Sequence, residues 1–233
     1  MSATFASTVP SGGVQPGRWS VVLAGGEGAT AALRELCGSY WYPIYAWWRR
    51  VGLPQAKATT ATEASVARWL GSALPTATDA GTHHFRAWVH AQLPQLATGG
   101  VKLLGPAPLK LDIAWAEERY AREPEGDADL LFERRWALSV LEFTLTALEA
   151  EYRALGQGDF FRALAPYLGA SKKGDESYSE AAQQTGRSTG ALHVAVFELR
   201  KRFRELLRAF IADTVADPTE IDREMNDLLA ASH

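Results

Sequence analysis

The chain has 233 residues, 47% of them hydrophobic, and a formal net charge of -3. That length supports one substantial core or two small ones, and the composition excludes the fibrous and wholly disordered classes. A small negative charge draws the chain as a whole toward neither phosphate nor anionic lipid, so any nucleic-acid contact has to come from a local basic patch.

The single cysteine, Cys37, excludes an intramolecular disulfide framework and points to the cytoplasm. Residues 1–17 are rich in Ser, Thr, Gly and Pro and lack both a basic start and a continuous apolar run. They read as a flexible tail rather than a signal peptide. No apolar run reaches the roughly 18 residues a membrane span needs.

In chain order, a short helix near 18–23 and a glycine loop at 25–28 precede a longer helix that runs to about residue 50. Its residues Leu33, Leu36, Tyr40, Ile44, Trp47 and Trp48 recur every three or four positions, the period of a core-facing helix, and Pro43 inside it predicts a bend. Helices follow at about 56–70 and 83–96, the second carrying Pro94. Gly and Pro punctuation over 98–108 predicts a domain boundary. The acidic stretch 109–126, with a short helix at 113–120, leads into the most regular helix, at about 129–155. Two apolar stripes run along that helix, one through Leu138, Leu141, Leu145, Leu148, Tyr152 and Leu155, the other through Phe132, Trp136, Val140 and Phe143.

Beyond a helix at 159–168 and a polar loop at 169–176, two helices flank the turn Thr185-Gly186-Arg187-Ser188. The first covers 178–184, and the second, opened by Ser188 as N-cap, extends to about 211. A tight glycine-containing turn between a short and a longer helix is the helix-turn-helix pattern. A last helix spans about 218–230, with Pro218 in its first turn. No strand-like alternation of adequate length is present, so the predicted fold is all-α: two helical modules with a C-terminal helix-turn-helix. The predicted divisions are a tail (1–17), a first helical domain (18–98), a linker (99–128), a helix-turn-helix domain (129–208) and a C-terminal helical extension (209–233).

Charge concentrates where that pattern lies. Residues 187–208 hold six basic and two acidic side chains, whereas 111–186 hold eight against fifteen and 209–233 one against six. In the second helix Leu192, Val196, Leu199, Phe203, Leu206 and Phe210 form the apolar stripe, and His193, Phe197, Arg200, Lys201, Arg204 and Arg208 lie opposite. Such a face enters the DNA major groove, early residues meeting base edges and later cations meeting phosphates. A merely solvated helix with cations near its C-terminal end would show the same charges.

Residues 178–207 resemble the promoter −35-binding domain of extracytoplasmic-function (ECF) sigma factors. The stretches at 18–23 (Arg-Trp-Ser-Val-Val-Leu), 36–45 (Leu-Cys-Gly-Ser-Tyr-Trp-Tyr-Pro-Ile-Tyr), 131–138 (Leu-Phe-Glu-Arg-Arg-Trp-Ala-Leu) and 211–218 (Ile-Ala-Asp-Thr-Val-Ala-Asp-Pro) are similar to a subfamily of the same proteins. The resemblance implies a non-catalytic, cofactor-free protein. It implies a first module that binds RNA polymerase core and a melted promoter strand, and a second module that binds promoter DNA.

On the matching positions, the DNA contacts are Arg187, Ser188, Thr189, His193, Phe197, Arg200, Lys201, Arg204 and Arg208. The polymerase or strand contacts are Thr62, Glu63, Arg68, Phe85, Arg86 and Trp88. The chain departs from the family at Thr60 and Ala64, where carboxylates facing polymerase are lost, and at Phe197 and Glu198, where cations are lost. A carboxylate near phosphates has the wrong sign for affinity. These departures motivate a competing expectation, a sigma-fold adaptor that binds a protein partner without initiating transcription.

Other constellations carry less. His83, His84 and His90 lack companions at metal-ligand spacing, so no metal site is expected. The glycines at 25–28 lack the lysine of a phosphate loop. The tryptophans at 41, 47 and 48 suit a core, and the carboxylates between Asp112 and Glu133 suit a solvated linker.

Overall fold

The computed structural model describes residues 16–79, 83–100, 102, 105–169 and 178–232. The expected tail up to residue 15 and most of the loop expected at 169–176 lie outside the described residues. Among the described residues ten α-helices follow one another: α1 (Arg18–Ala24), α2 (Ala29–Arg50), α3 (Gln55–Gly71), α4 (Phe85–Gly99), α5 (Ile113–Tyr120), α6 (Ala128–Ala154), α7 (Gly158–Leu164), α8 (Ser179–Thr185), α9 (Thr189–Ala212) and α10 (Ile221–Ala231). Short 3-10 turns at Ala165–Tyr167 and Pro218–Glu220 complete the order. Among the described residues there is no strand, only an isolated bridge between His84 and Val215, and no helix long and apolar enough to cross a membrane.

Two compact units form, and their boundary differs from the expected one. One unit takes residues 140–210, and the other takes the described residues up to Ser139 together with those from Ile211 onward. The boundaries therefore fall inside α6 and near the end of α9.

In the larger unit α2 is the axis. Every residue from Tyr42 to Trp48 is buried, which a helix tolerates only when covered on all sides. Pro43 sits inside α2, which continues unbroken from Ala29 to Arg50. Around it the aromatics interlock: Trp19 lies 5.1 Å from Phe85 and 5.5 Å from Trp88, Tyr40 lies 4.7 Å from Phe85, and Trp69 lies 5.3 Å from Trp88.

Residues 113–126 of the expected linker pack against α2. Glu117 of α5 accepts from Tyr45 (2.6 Å) and Arg49 (2.7 Å), and Glu123 accepts from Tyr42 (2.8 Å) and pairs with Arg135 at 3.0 Å. Arg50 donates to the carbonyls of Pro124 and Gly126, and Asp129 accepts from the Trp47 indole at 2.7 Å. Of the carboxylates expected to be solvated, Glu117, Glu123 and Asp129 instead hold the segment against α2, whereas Asp112, Glu118, Glu125 and Asp127 are exposed. Arg49 keeps Glu117 below the ordinary carboxylate range through its hydrogen bond, against the opposing effect of burial.

Nor is 209–233 an appendage. Phe85 N donates to the Thr214 carbonyl and Ala216 N to that of His83, both at 2.8 Å, and Trp19 N donates to the Asp213 carbonyl at 2.9 Å. The approach is so close that a Cβ on Gly17 would collide with the Ala212 carbonyl. Ile221 and Leu228 of α10 are buried in the same unit.

Along α6 the stripe through Phe132, Trp136 and Val140 is buried. The other stripe is only partly so: Leu148 is fully covered, but Leu155 is 72% exposed. The unit of residues 140–210 closes over Leu148, Phe161, Leu164, Tyr167, Tyr178, Ala181, Leu192, Val196, Leu199 and Leu206.

Candidate nucleic-acid interface

The turn between α8 and α9 is built as its residues dictate. Gly186 ends α8 in the left-handed region (φ 66°), where a side chain would be strained, and its N–H donates to the Ala182 carbonyl. Ser188 then opens α9: its hydroxyl accepts from Ala191 N at 3.3 Å and its carbonyl from Leu192 N at 3.1 Å.

Leu192, Val196, Leu199 and Leu206 point α9 into the core, leaving an outward strip half a turn away. Thr189, His193, Phe197, Glu198, Lys201, Arg204 and Arg208 are exposed on it. The His193 ring lies 4.3 Å from that of Tyr178. The strip therefore begins uncharged, carries a carboxylate at Glu198, and ends in the cations Lys201, Arg204 and Arg208 with the exposed Glu205 among them.

Beyond Ser188 and His193, two further expected DNA contacts, Arg200 and Arg187, meet groups of their own unit. Arg200 is part-buried and donates to the carbonyl of Tyr167 (2.9 and 2.6 Å) and to that of Gly169 (3.2 Å), so its cation satisfies the end of the 3-10 turn. Arg187 is exposed, with its guanidinium 4.1 Å over the Phe160 ring. Arg202, on the flank of α9, is held by Glu151 at 2.9 and 2.6 Å and by Glu205 at 3.0 Å.

In the larger unit most of the expected polymerase or strand contacts are inside the protein, which corrects their reading as a binding surface. Phe85 and Thr62 are fully buried, and Trp88 is 7% exposed. The Thr62 hydroxyl donates to the Ala58 carbonyl at 2.8 Å. The physical reason is the tight aromatic core: Phe85 and Trp88 stack on each other and pack in tilted or edge-on contact against Trp19, Tyr40 and Trp69. Glu63 is half-buried and Arg68 exposed.

Arg86 is enclosed by carboxylates. It donates to Glu224 (2.9 and 2.7 Å), Asp227 (3.0 Å) and Glu133 (2.5 Å), and it stacks 4.3 Å from the Trp136 ring. His84 pairs with the same Glu224 at 2.7 Å and with Glu220 at 3.4 Å. Sequence reasoning missed this cluster, because nothing in the spacing of Arg86 and Glu224 announces that residues so far apart meet.

The cluster makes stability depend on pH in two directions. Its hydrogen bond to Glu224 raises the pKa of His84 above the ordinary value of 6.5, so that contribution is complete below this value and is lost as pH rises through the folded one. Burial works against the charge of Glu224, but hydrogen bonds from Arg86 and His84 outweigh it and hold the carboxyl below its usual 4.5. Its contribution is therefore present above that value and lost as pH falls through the folded one. All eight tryptophans lie between Trp19 and Trp136, so their fluorescence reports this unit. Urea midpoints read by that signal are expected to drop as pH falls below 4.5 and as it rises above 6.5. His84→Gln is expected to abolish the drop that begins above 6.5 while leaving the acid one and any loss above pH 10 from the buried tyrosines Tyr40, Tyr42 and Tyr45.

No family model matches the chain, and neither the curated proteins nor the solved structures hold a match to it.

Proposed function

We propose that the chain is a sigma-like transcription protein, a non-enzymatic factor acting in the cytoplasm that binds RNA polymerase core through its larger unit and promoter DNA through α9. The observation that carries this reading is the outward strip of α9. It lies opposite the core and beyond a helix-turn-helix turn, and it ends in the exposed cations Lys201, Arg204 and Arg208. That is the order in which a recognition helix meets base edges and then phosphates. The ECF-like stretches at 18–23, 36–45, 131–138, 178–207 and 211–218 support the same assignment.

For the polymerase contact, support comes from an open, largely apolar groove of about 440 Å³ beside Trp48, Leu53, Lys57, Thr60 and Leu96, at the start of the run that stands where the family faces polymerase, although Thr60 itself departs from the family there. Melted-strand binding finds no support in Phe85, Arg86 or Trp88 as they are packed.

Run-off transcription with purified core enzyme on a genomic library tests the reading, and absence of any promoter-specific transcript overturns it. Glu198, exposed among the α9 cations, gives a sharper check. Glu198→Arg is expected to raise duplex affinity at low salt in fluorescence anisotropy and to steepen the fall of log affinity with log salt by about 0.9 for a cation that meets a phosphate. An unchanged affinity and slope in a folded variant would mean that this face does not meet DNA.

A second reading, the adaptor that binds a protein in place of polymerase or DNA, is favoured by one observation: Phe197 is 59% exposed at the middle of the same strip, a large aromatic suited to a protein interface. Co-purification from the native host separates the two. Polymerase subunits as the dominant partner would exclude the adaptor, and a stable complex with another protein would exclude the initiation factor.

A further inference from the structure

Two large apolar side chains, Val194 and Phe197, are exposed in the first half of α9 beside the polar Thr189, His193 and Glu198. Val194 is 64% exposed and Phe197 59%, the highest exposures of any large apolar residues on this helix. They stand half a turn from the buried Leu192, Val196 and Leu199, so the folded unit itself leaves them uncovered. The neighbouring Gly190 adds no side chain to the strip, and a Cβ there would meet nothing within 4 Å.

We infer that Val194 and Phe197 read the C5-methyl groups of thymines on adjacent base steps, making the recognised sequence T-rich where α9 enters the major groove. The inference rests on the DNA-binding reading above. Charge on the same strip selects DNA as the occupant, because the exposed cations Lys201, Arg204 and Arg208 outnumber the exposed carboxylates Glu198 and Glu205 and follow the apolar pair in the direction where a docked helix meets phosphate.

Chemistry then selects the base. Neither valine nor phenylalanine can hydrogen-bond, so a guanine O6 and N7 or a cytosine amino group pressed against them would lose water without gaining a partner. The thymine methyl is the one apolar group displayed on the major-groove edge, and it converts that loss into an apolar contact. Spacing agrees as well. Three residues of helix advance about 4.5 Å, close to one base step of about 3.4 Å per strand.

The test uses the full-length chain and duplexes selected by it from a randomised library. In each selected duplex, thymines are replaced one at a time by uracil, which keeps every hydrogen-bonding group and removes only the methyl. Affinity is expected to fall about fourfold for each contacted methyl, the value of one buried methylene-sized group. The discrimination should disappear in Val194→Ala at one position and in Phe197→Ala at its neighbour. Circular dichroism of the variants checks that both remain helical.

Three outcomes overturn the inference, and they differ in what else they remove. Specific binding with no uracil effect, or selected sites without adjacent thymines, leaves DNA binding standing and removes methyl reading. No duplex binding even at low salt removes both. Self-association of the free chain that Phe197→Ala abolishes would assign the apolar pair to a second copy instead.

Discussion

Replacing Glu224 by leucine is expected to destabilise the larger unit by about 3 kcal/mol, the lower end of the range for removing one partner of a buried ion pair. Glu224 is fully buried and accepts two hydrogen bonds from Arg86 while pairing with His84. The substitution leaves a guanidinium that is 14% exposed and a histidine that is 9% exposed without their central anion. Arg86 keeps Glu133 and Asp227, which places the loss at the lower end.

Glu224→Leu should lower the urea midpoint read by tryptophan fluorescence. Adding Arg86→Met should recover part of the loss, because an apolar pair has no unpaired charge to desolvate. A change below about 1 kcal/mol in the single variant would show that the carboxylate is solvated rather than enclosed. The result also bears on function, since α10 holds Arg86 through this contact and keeps it from any nucleic-acid strand.

The second large effect separates two residues two positions apart. Leu199→Ala is expected to destabilise the unit of residues 140–210 by about 3 kcal/mol, because Leu199 is completely buried and truncation adds a cavity to the lost transfer energy. Phe197→Ala, on the outward strip, should change stability by less than about 0.5 kcal/mol. Tryptophan is absent between residues 140 and 210, so amide exchange in α8 and α9 is the appropriate readout. Comparable losses in both variants would mean that Phe197 is covered, which would remove the basis for either a groove or a partner contact there.

Helical class and the placement of most helices were legible in the sequence because they rest on local signals. Three-and-four spacing marked α2, α6 and α9, Gly186 and Ser188 marked the turn, and Pro218 marked the 3-10 turn that leads into α10 at Ile221. The core side of α9 was legible for the same reason. Val194 escaped the exposed list, although it follows from the same wheel: half a turn from Leu192 a valine must face outward whatever its hydropathy.

What only the tertiary structure decided is which distant segments meet. The residues from Ile211 onward join the larger unit through backbone pairing at Thr214 and Ala216 and through the charges of Glu224, partners more than a hundred residues away from His83, Phe85 and Arg86. The acidic stretch 109–126 looked solvated because its local composition is charged, yet Glu117 and Glu123 find tyrosines and arginines only once α2 lies beside them. Periodicity reports the neighbours of a residue along one helix. Whether an arginine such as Arg86 meets solvent, nucleic acid or a buried carboxylate depends on which other helix covers it, and no local pattern encodes that choice.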